Sequence, residues 1–449
     1  MEEFVWYESD LEDDWQAPEW LLTPAGRRRL KALMVLVAVW GVVYGLHVVE
    51  WGQWAVIGLS LLILIYITWL FQAETDPVPV LSLSEPGIPT LPTVTLMIPA
   101  KNEAAVLPGL IASVAALDYP HLDVWVIDDA STDATPQVLA SLQAQYPWLQ
   151  VHRRAEGAGG GKSGALNEVL PLTHGAVIAV FDADAHLPSD LLQRSLPLLY
   201  ASRKVGAVQV RKAVANQATN AWTQGQAAEM TLDAFFQQQR TTVGGVGELR
   251  GNGQLIHRRL LLRCGGWNEG TVTDDLDLSF KVHLAGAEIA FLTEPPVWEE
   301  GVTSWDRLWH QRCRWAEGGY QRFLDYWPGL FAGQLSWLKR LDLGVFFLNQ
   351  YLLPMALVPD LVWAWRLEQH TVLWPLGVVA YLTIVWGLWC GQRQSTTLSG
   401  LALWRSMGLA LVYMLHWLPV MISTTARMCI QPKRLRWVKT EHQGHAPVS

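Results

Sequence analysis

Two aspartates one residue apart, Asp182-Ala183-Asp184, follow the apolar run Ala176–Phe181. In an extended segment residues two apart point to the same side, so both carboxylates can face one hard cation. Mg2+ or Mn2+ held by one or two carboxylates and completed by substrate phosphates is the usual arrangement at a phosphate site. Such a metal neutralises charge developing on a departing diphosphate. A lone pair of this kind is a weak signal, because many surface turns carry one. Its place after an apolar strand, in the company of further motifs, gives it weight.

Asp128-Asp129-Ala-Ser-Thr-Asp133 ends another apolar run. The adjacent acids can take hydrogen bonds from a base or from ribose hydroxyls, while Ser131 or Asp133 caps the helix that follows. Gly157–Gly164, with Lys162 inside it, lacks the placement of a P-loop straight after a strand, since His152–Glu156 intervenes. It reads as a flexible loop whose lysine meets a phosphate. Thr273-Asp274-Asp275-Leu276-Asp277 packs three acids into five residues. Mutual repulsion makes that density costly unless a metal, a base or an acceptor uses it, and one of these acids is the natural general base. In Gln311-Arg312-Cys313-Arg314-Trp315, residues 311, 314 and 315 share one helical face. Arg314 can fork onto a diphosphate. Trp315 offers a flat surface to a sugar or an apolar acceptor.

The elements that must position these groups alternate. Thr93–Ile98, Val124–Ile127 and Ala176–Phe181 read as strands, with helices over Ala104–Leu117, after Asp133 and from Ser189. The alternation predicts a mostly parallel α/β sheet with helices on both faces, which binds ligands at the carboxyl ends of its strands. Lys101–Glu103, Asp128–Asp129 and Asp182–Asp184 all fall at such ends. Solvated strand caps explain one such cluster more readily than three.

Across the 449 residues, charged side chains make up only 16% and apolar ones 51%, against roughly 25% charged in soluble domains. The apolar excess sits in two blocks. Ala32–Val49 and Trp54–Phe71 form a transmembrane hairpin, with Arg27–Lys31 marking its cytoplasmic side. A proline-rich linker over 72–92 follows. Beyond the catalytic region at 93–304 lies an amphipathic stretch, 305–342, whose tryptophans suit a membrane surface. Leu343–Trp365, Val372–Cys390 and Leu401–Ile422 are further spans within 343–425, ahead of a basic tail at 426–449. Three crossings conflict with a cytoplasmic basic tail. Leu343–Trp365, which holds Asn349, Gln350, Pro354, Pro359 and Asp360, is the candidate for an incomplete or re-entrant segment. The acidic segment 1–31 is unlike an export signal. A net charge of −8 without a basic stripe argues against nucleic acid. The four scattered cysteines read as free thiols.

Taken together the motifs resemble the family 2 glycosyltransferases with a GT-A (Rossmann-like) catalytic domain and membrane helices on both sides, the group of cellulose, chitin and hyaluronan synthases. The match covers Pro99–Glu103, Asp128-Asp129, Lys162–Asn167, Asp182–Asp184, Thr273–Asp275 and Gln311–Trp315. The family's usual Thr-Glu-Asp stands here as Thr-Asp-Asp, so Asp275 takes the base position. The resemblance implies catalytic Asp275, Asp274, Gln311, Arg314 and Trp315, donor contacts from Glu103, Asp128, Asp129, Lys162 and Asp182, and Mg2+ or Mn2+ on Asp182 and Asp184. Gly251-Asn-Gly-Gln254 and Arg314–Trp327 look like the cyanobacterial monoglucosyldiacylglycerol synthases. That likeness implies UDP-glucose as donor, diacylglycerol as acceptor, and a multi-pass protein of a bacterial plasma or thylakoid membrane with its catalytic domain in the cytosol. A processive β-polysaccharide synthase is the alternative, and a catalytically dead sugar sensor a remoter one. The aromatic stretch Trp305–Trp327 is the expected route of a bilayer-borne acceptor, with Trp315 and Tyr320 at its mouth.

Overall fold

The computed structural model describes residues 28–75, 91–331, 335–395 and 399–430. Most of the acidic segment, most of the proline-rich linker and nearly all of the basic tail lie outside the described residues.

Seven strands form one sheet: β1 (Val94–Ala100), β2 (Leu122–Asp128), β3 (Leu149–Arg153), β4 (Val177–Val180), β5 (Val205–Val214), β6 (Gln254–His257) and β7 (Glu288–Glu299). Their order is β3-β2-β1-β4-β6-β5-β7, and only β6 runs against the rest. Strands covered on both faces need continuous apolar runs, which is why Val-Thr-Leu-Met-Ile in β1 and Val-Ile-Ala-Val in β4 are wholly buried. Alternate residues of β1 serve opposite layers. Leu96 and Ile98 pack under α3 (Leu107–Ala115), α4 (Thr135–Gln145) and α6 (Leu191–Leu199). Met97 meets α5 (Gly161–Val169), α8 (Arg258–Arg263) and α9 (Asp274–Leu284). The long α7 (Ala221–Thr242) and α10 (Trp305–Phe331) then join this α/β unit to the apolar helices.

Those are α1 (Arg28–Val48), α2 (Gly52–Phe71), α11 (Trp337–Phe347), α12 (Leu353–Arg366), α13 (Trp374–Ser395), α14 (Gly400–Met414) and α15 (Trp417–Ile430). Five segments among the described residues are long and apolar enough to cross a membrane, taking α11–α12 and α14–α15 each as one. Polar contacts fix which ends lie together. At the start of α1, Arg28 pairs with Asp325 of α10, and Arg29 Nη2 donates to the Ile430 carbonyl that ends α15 at 2.6 Å. At its far end His47 meets Asp360 of α12 at 2.9 Å. Midway along α11, Asp342 accepts from Tyr66 in the last turns of α2 at 2.9 Å. Leu343–Trp365 falls within a 30-residue apolar segment, Trp337–Arg366, with a π-turn at Leu348–Leu352. The expected span Leu401–Ile422 breaks instead at Leu415–His416. α14 lies along α7, where the Tyr413 ring stands over Gly225, and α15 wedges between α10 and the first turns of α1.

A cluster of buried charge holds the two parts together. Glu248, fully buried, faces Arg322 Nη2 of α10 at 2.7 Å, Arg250 Nη2 at 2.9 Å and Arg240 Nη1 of α7 at 3.8 Å. Burial alone would raise its carboxyl, but the three arginines override that and hold it down at about 2. Because the folded value lies below the ordinary 4.5, Glu248 adds stability above that pH and the contribution fades as pH falls towards 2. Glu248→Gln should cost about 3–5 kcal/mol at neutral pH, read by thermal unfolding in detergent, and should flatten the acid limb of the stability profile. A variant as stable as the parent would show the cluster to be incidental.

Candidate active site

The carboxyl ends of β1, β2 and β4 deliver Lys101–Glu103, Asp129 and Asp182–Asp184 to one end of the sheet, through the registers Ala100↔Asp128 and Met97↔Val180. Antiparallel β6 starts where β4 stops, with Val180 opposite Gln254. That brings Gly251 and Asn252 beside the acids, where Asn252 Oδ1 accepts from the Asp182 amide at 3.3 Å. The result is a cavity of about 600 Å³. It runs from these acids to an apolar wall built by α2, α7 and α13.

Asp182 Oδ1 lies 2.5 Å from Lys162 Nζ, and Asp184 Oδ2 accepts the Glu300 amide at 2.9 Å. Lys162 is not on a flexible loop. α5 begins at Gly161, and the lysine sits in its first turn. Burial opposes its charge, but Asp182, Asp274 and Asp275 outweigh burial and raise its pKa. Asp274 is half-buried, with its Oδ2 shielded from solvent and without a hydrogen-bond partner. Burial first, then Asp275, lifts its carboxyl to about 6 against the pull of Lys162. Asp275 faces Gly251, where a Cβ would stand 3.2 Å from Oδ2, so glycine at φ +81° leaves room for the carboxylate. Arg314, its charge opposed by burial, looks onto Asp182, Asp275 and Asp274. No group of three metal-ligating side chains forms among the described residues. Two cavity-facing carboxylates beside an orphaned acid oxygen nevertheless fit a cation whose other ligands come from a phosphorylated substrate.

Glu103 and Asp129 line the cavity beside these acids, at the ends of β1 and β2. Asp129 is bracketed by Arg154 Nη1 at 2.5 Å and Lys101 Nζ at 3.2 Å. Asp128 departs from the sequence expectation. It is buried off the cavity, and its Oδ1 accepts the Ser131 amide at 2.9 Å to shape the turn after β2. Asp277 likewise turns away. Its Oδ1 accepts from Asn268 Nδ2 at 2.9 Å and Tyr326 Oη at 3.0 Å, so α9 splits the three-acid cluster into two cavity acids and one structural one. Sequence reasoning passed over Arg250, Glu229, Lys212 and Glu299, all cavity-lining. For Arg250 the only signal was adjacency to Gly251–Gln254.

Gln311, Arg314 and Trp315 share one face of α10, and all three reach the cavity. Arg312 is buried behind them. It pairs with Glu229 of α7, lies 3.0 Å from Tyr413 Oη and stacks 4.1 Å over the Trp315 ring. Tyr320 does not line the mouth: it is 1% exposed and stacked on Tyr351. Trp305 and Trp309 also stay off the cavity, clustered with Trp222 and His416. The two arginines of the motif should therefore separate in a thermal melt. Arg312→Ala strands the Glu229 carboxylate and should cost about 3–5 kcal/mol, while Arg314→Ala should shift the midpoint far less. Equal losses would merge their roles.

Residues 92–318 match the model of the glycosyltransferase-like family 2. A β-monoglucosyldiacylglycerol synthase of Synechocystis is 47% identical, over 98% of this chain and 97% of its own. One of Nostoc is 48% identical, over 93% and 90%. In fold, a mannosyltransferase of Pyrobaculum calidifontis solved with GDP-mannose and Mn2+ superposes with a TM-score of 0.53 at 20% identity, over 90% of this chain and 99% of that one. The carboxylates at the strand ends, the Thr-Asp-Asp turn and the Gln311–Trp315 face are thus set in a GT-A-like sheet, and the chain belongs to the family 2 glycosyltransferases, among the relatives of the cyanobacterial β-monoglucosyldiacylglycerol synthases.

Proposed function

We propose that this enzyme transfers glucose from UDP-glucose to the free hydroxyl of 1,2-diacylglycerol, with inversion at the sugar. One observation carries the reading: a single cavity joins the acidic strand ends to an apolar wall of helices. A soluble site would have to draw two acyl chains into water at about 0.8 kcal/mol per CH2. A cavity opening among apolar helices avoids that cost. The full-length relatives named for a glycolipid product support a lipid acceptor over a growing polymer.

The uridine end of the donor lies by Glu103 and Asp129, and its diphosphate between Lys162 and Arg314. A divalent cation, Mg2+ or Mn2+, held by Asp182 and Asp184 would supply positive charge to the leaving diphosphate. Asp275 takes the acceptor proton as the hydroxyl oxygen bonds to C1 of glucose and the bond from C1 to phosphate oxygen breaks, releasing UDP. Asp274 keeps a second acid beside that base. Gln311 and Trp315 hold the sugar, the ring offering it a flat face. One displacement on an α-linked donor gives a β-glycoside.

The geometry of the helix ends supports four crossings, by α1, α2, α11–α12 and α13. α14 and α15 then lie along the same side as the catalytic unit. An even number of crossings puts the sheet and the basic tail together in the cytosol and removes the conflict that three C-terminal crossings create. Most of the bilayer-facing wall comes from α2, α7 and α13, not from the expected Trp305–Trp327 stretch, although Trp315 guards the junction.

EDTA should stop transfer, and added Mg2+ or Mn2+ should restore it. Asp184→Ala should lower kcat by two to three orders of magnitude, about the cost of removing one preorganised partner of developing charge, with the thermal midpoint nearly unchanged. Full activity in EDTA would sink the metal. The product's anomeric proton, read by NMR, should show the β configuration; an α-glycoside would exclude a single displacement by Asp275. In competition UDP-glucose should outrun UDP-galactose, and preference for galactose would overturn the choice of donor.

A further inference from the structure

One carboxylate that the transfer chemistry leaves unused holds the Gln311–Trp315 face in place. Glu229 stands in α7, and only 13% of its side chain is exposed. Three donors from three elements converge on it. Its Oε2 takes Arg312 Nη2 of α10 and, at 2.9 Å, the hydroxyl of Tyr413 in the last turn of α14. Its Oε1 takes Nε1 of Trp417, the first residue of α15, at 2.8 Å. Burial would raise this carboxyl, but Arg312 foremost outweighs burial and holds it below its ordinary range.

One small residue makes the convergence possible. Gly225 lies one turn before Glu229 on the same face of α7. A Cβ there would stand 2.3 Å from the Tyr413 ring, so glycine lets that ring lie where its hydroxyl meets Glu229. The corner between α14 and α15 is thereby fastened to α7 at the wall of the cavity.

Arg312 carries the constraint forward. A long side chain has many rotamers to lose, and Glu229 with Tyr413 selects one of them. In that rotamer Nη1 donates to Gln311 Oε1 at 2.6 Å, and the guanidinium lies 4.1 Å over the Trp315 ring. With its oxygen engaged, Gln311 has its Nε2 left to offer a hydroxyl. The Trp315 ring takes its tilt from the cation stacked on it. We propose that Glu229 is a positioning residue for the transferred sugar, setting Gln311 and Trp315 through Arg312 and tying both to the α14–α15 corner. This rests on the reading above that Gln311 and Trp315 hold the glucose of the donor.

The test compares the donor with and without its sugar, on the full chain in nanodiscs with dioleoylglycerol as acceptor. UDP carries the base and the diphosphate but brings no sugar to Gln311 or Trp315. Glu229→Gln places an amide N–H group among three donors. It should lower kcat/KM for UDP-glucose by about thirtyfold, the size of one charge-assisted hydrogen bond, with the Ki of UDP nearly unchanged. Gly225→Ala displaces the Tyr413 ring and leaves Glu229 and Arg312 as they are. It should act in the same direction to a smaller degree, and it serves where the Glu229 variant does not fold. In an Arg312→Met background Glu229→Gln should add little further loss, because the two act as one unit. Equal losses of UDP and UDP-glucose, or a lower melting temperature with unaltered kinetics, would make the cluster a mere brace between helices and overturn the inference. Losses that multiply in the double variant would overturn it as well. If Gln311→Ala and Trp315→Ala leave kcat/KM for UDP-glucose intact, the reading that they hold the sugar fails, and the inference with it.

Discussion

A carboxylate with no access to water, Glu248, sits among three guanidinium groups from three parts of the chain. Isolated, any one of these charges would cost several kcal/mol to bury, so none is tolerable without the others. Arg240 adds a second tie. On α7 it grips Asp342 at 2.9 Å, and Asp342 also takes hydrogen bonds from Tyr66 and from the Val246 amide. The α/β unit and the apolar helices thus share one charged joint. That joint sets Arg250 beside Asp233 and near Asp275, so the position of the acids relative to the membrane helices follows from it. The hydrophobic effect, being non-directional, could press the same helices on the sheet in several registers. A fully desolvated ion cluster admits far fewer.

How much of this was legible in the sequence depended on the range of the interaction. The parallel strands β1, β2 and β4 are uninterrupted apolar runs ending in acids, so both their existence and the chemistry at their ends could be read locally. β3, Leu-Gln-Val-His-Arg, was missed because an edge strand is half solvated and carries the polar composition of a loop. β6 is four residues long and takes its direction from its partners, so nothing local announces that Gly251 will arrive beside Asp275. Asp128 and Asp129 are adjacent and chemically identical. Strand alternation sends one inward to the turn and leaves the other at the cavity.

The Gln311–Trp315 motif shows the same limit from the other side. Helical spacing correctly put residues 311, 314 and 315 on one face. It could not reveal that Arg312 is needed just as much, because its partners Glu229 and Tyr413 lie 83 and 101 residues away. Apolar length reads Gly400–Ile430 as one segment. It does not announce the turn at Leu415–His416, which sets the Tyr413 ring over Gly225 of α7 and the Ile430 carbonyl within reach of Arg29 Nη2.

The charge pattern of the cavity bears on why transfer should wait for a cation. Asp182, Asp184, Asp274 and Asp275 gather at one end of the cavity, and Lys162 is already drawn to three of them. A nucleoside diphosphate approaching this floor meets carboxylates before it meets free positive charge, and in a partly desolvated site that repulsion is several-fold stronger than in water. In the proposed reaction a divalent cation on Asp182 and Asp184 reverses the sign locally and leaves Lys162 and Arg314 to complete the diphosphate's surroundings. Burial raises the Asp274 carboxyl above its ordinary range, so four acids crowded here without a cation are costly to keep charged. The same acid density that makes the resting site costly would in this way make donor binding and metal binding one event, and Asp275 would face an acceptor hydroxyl only after both are in place.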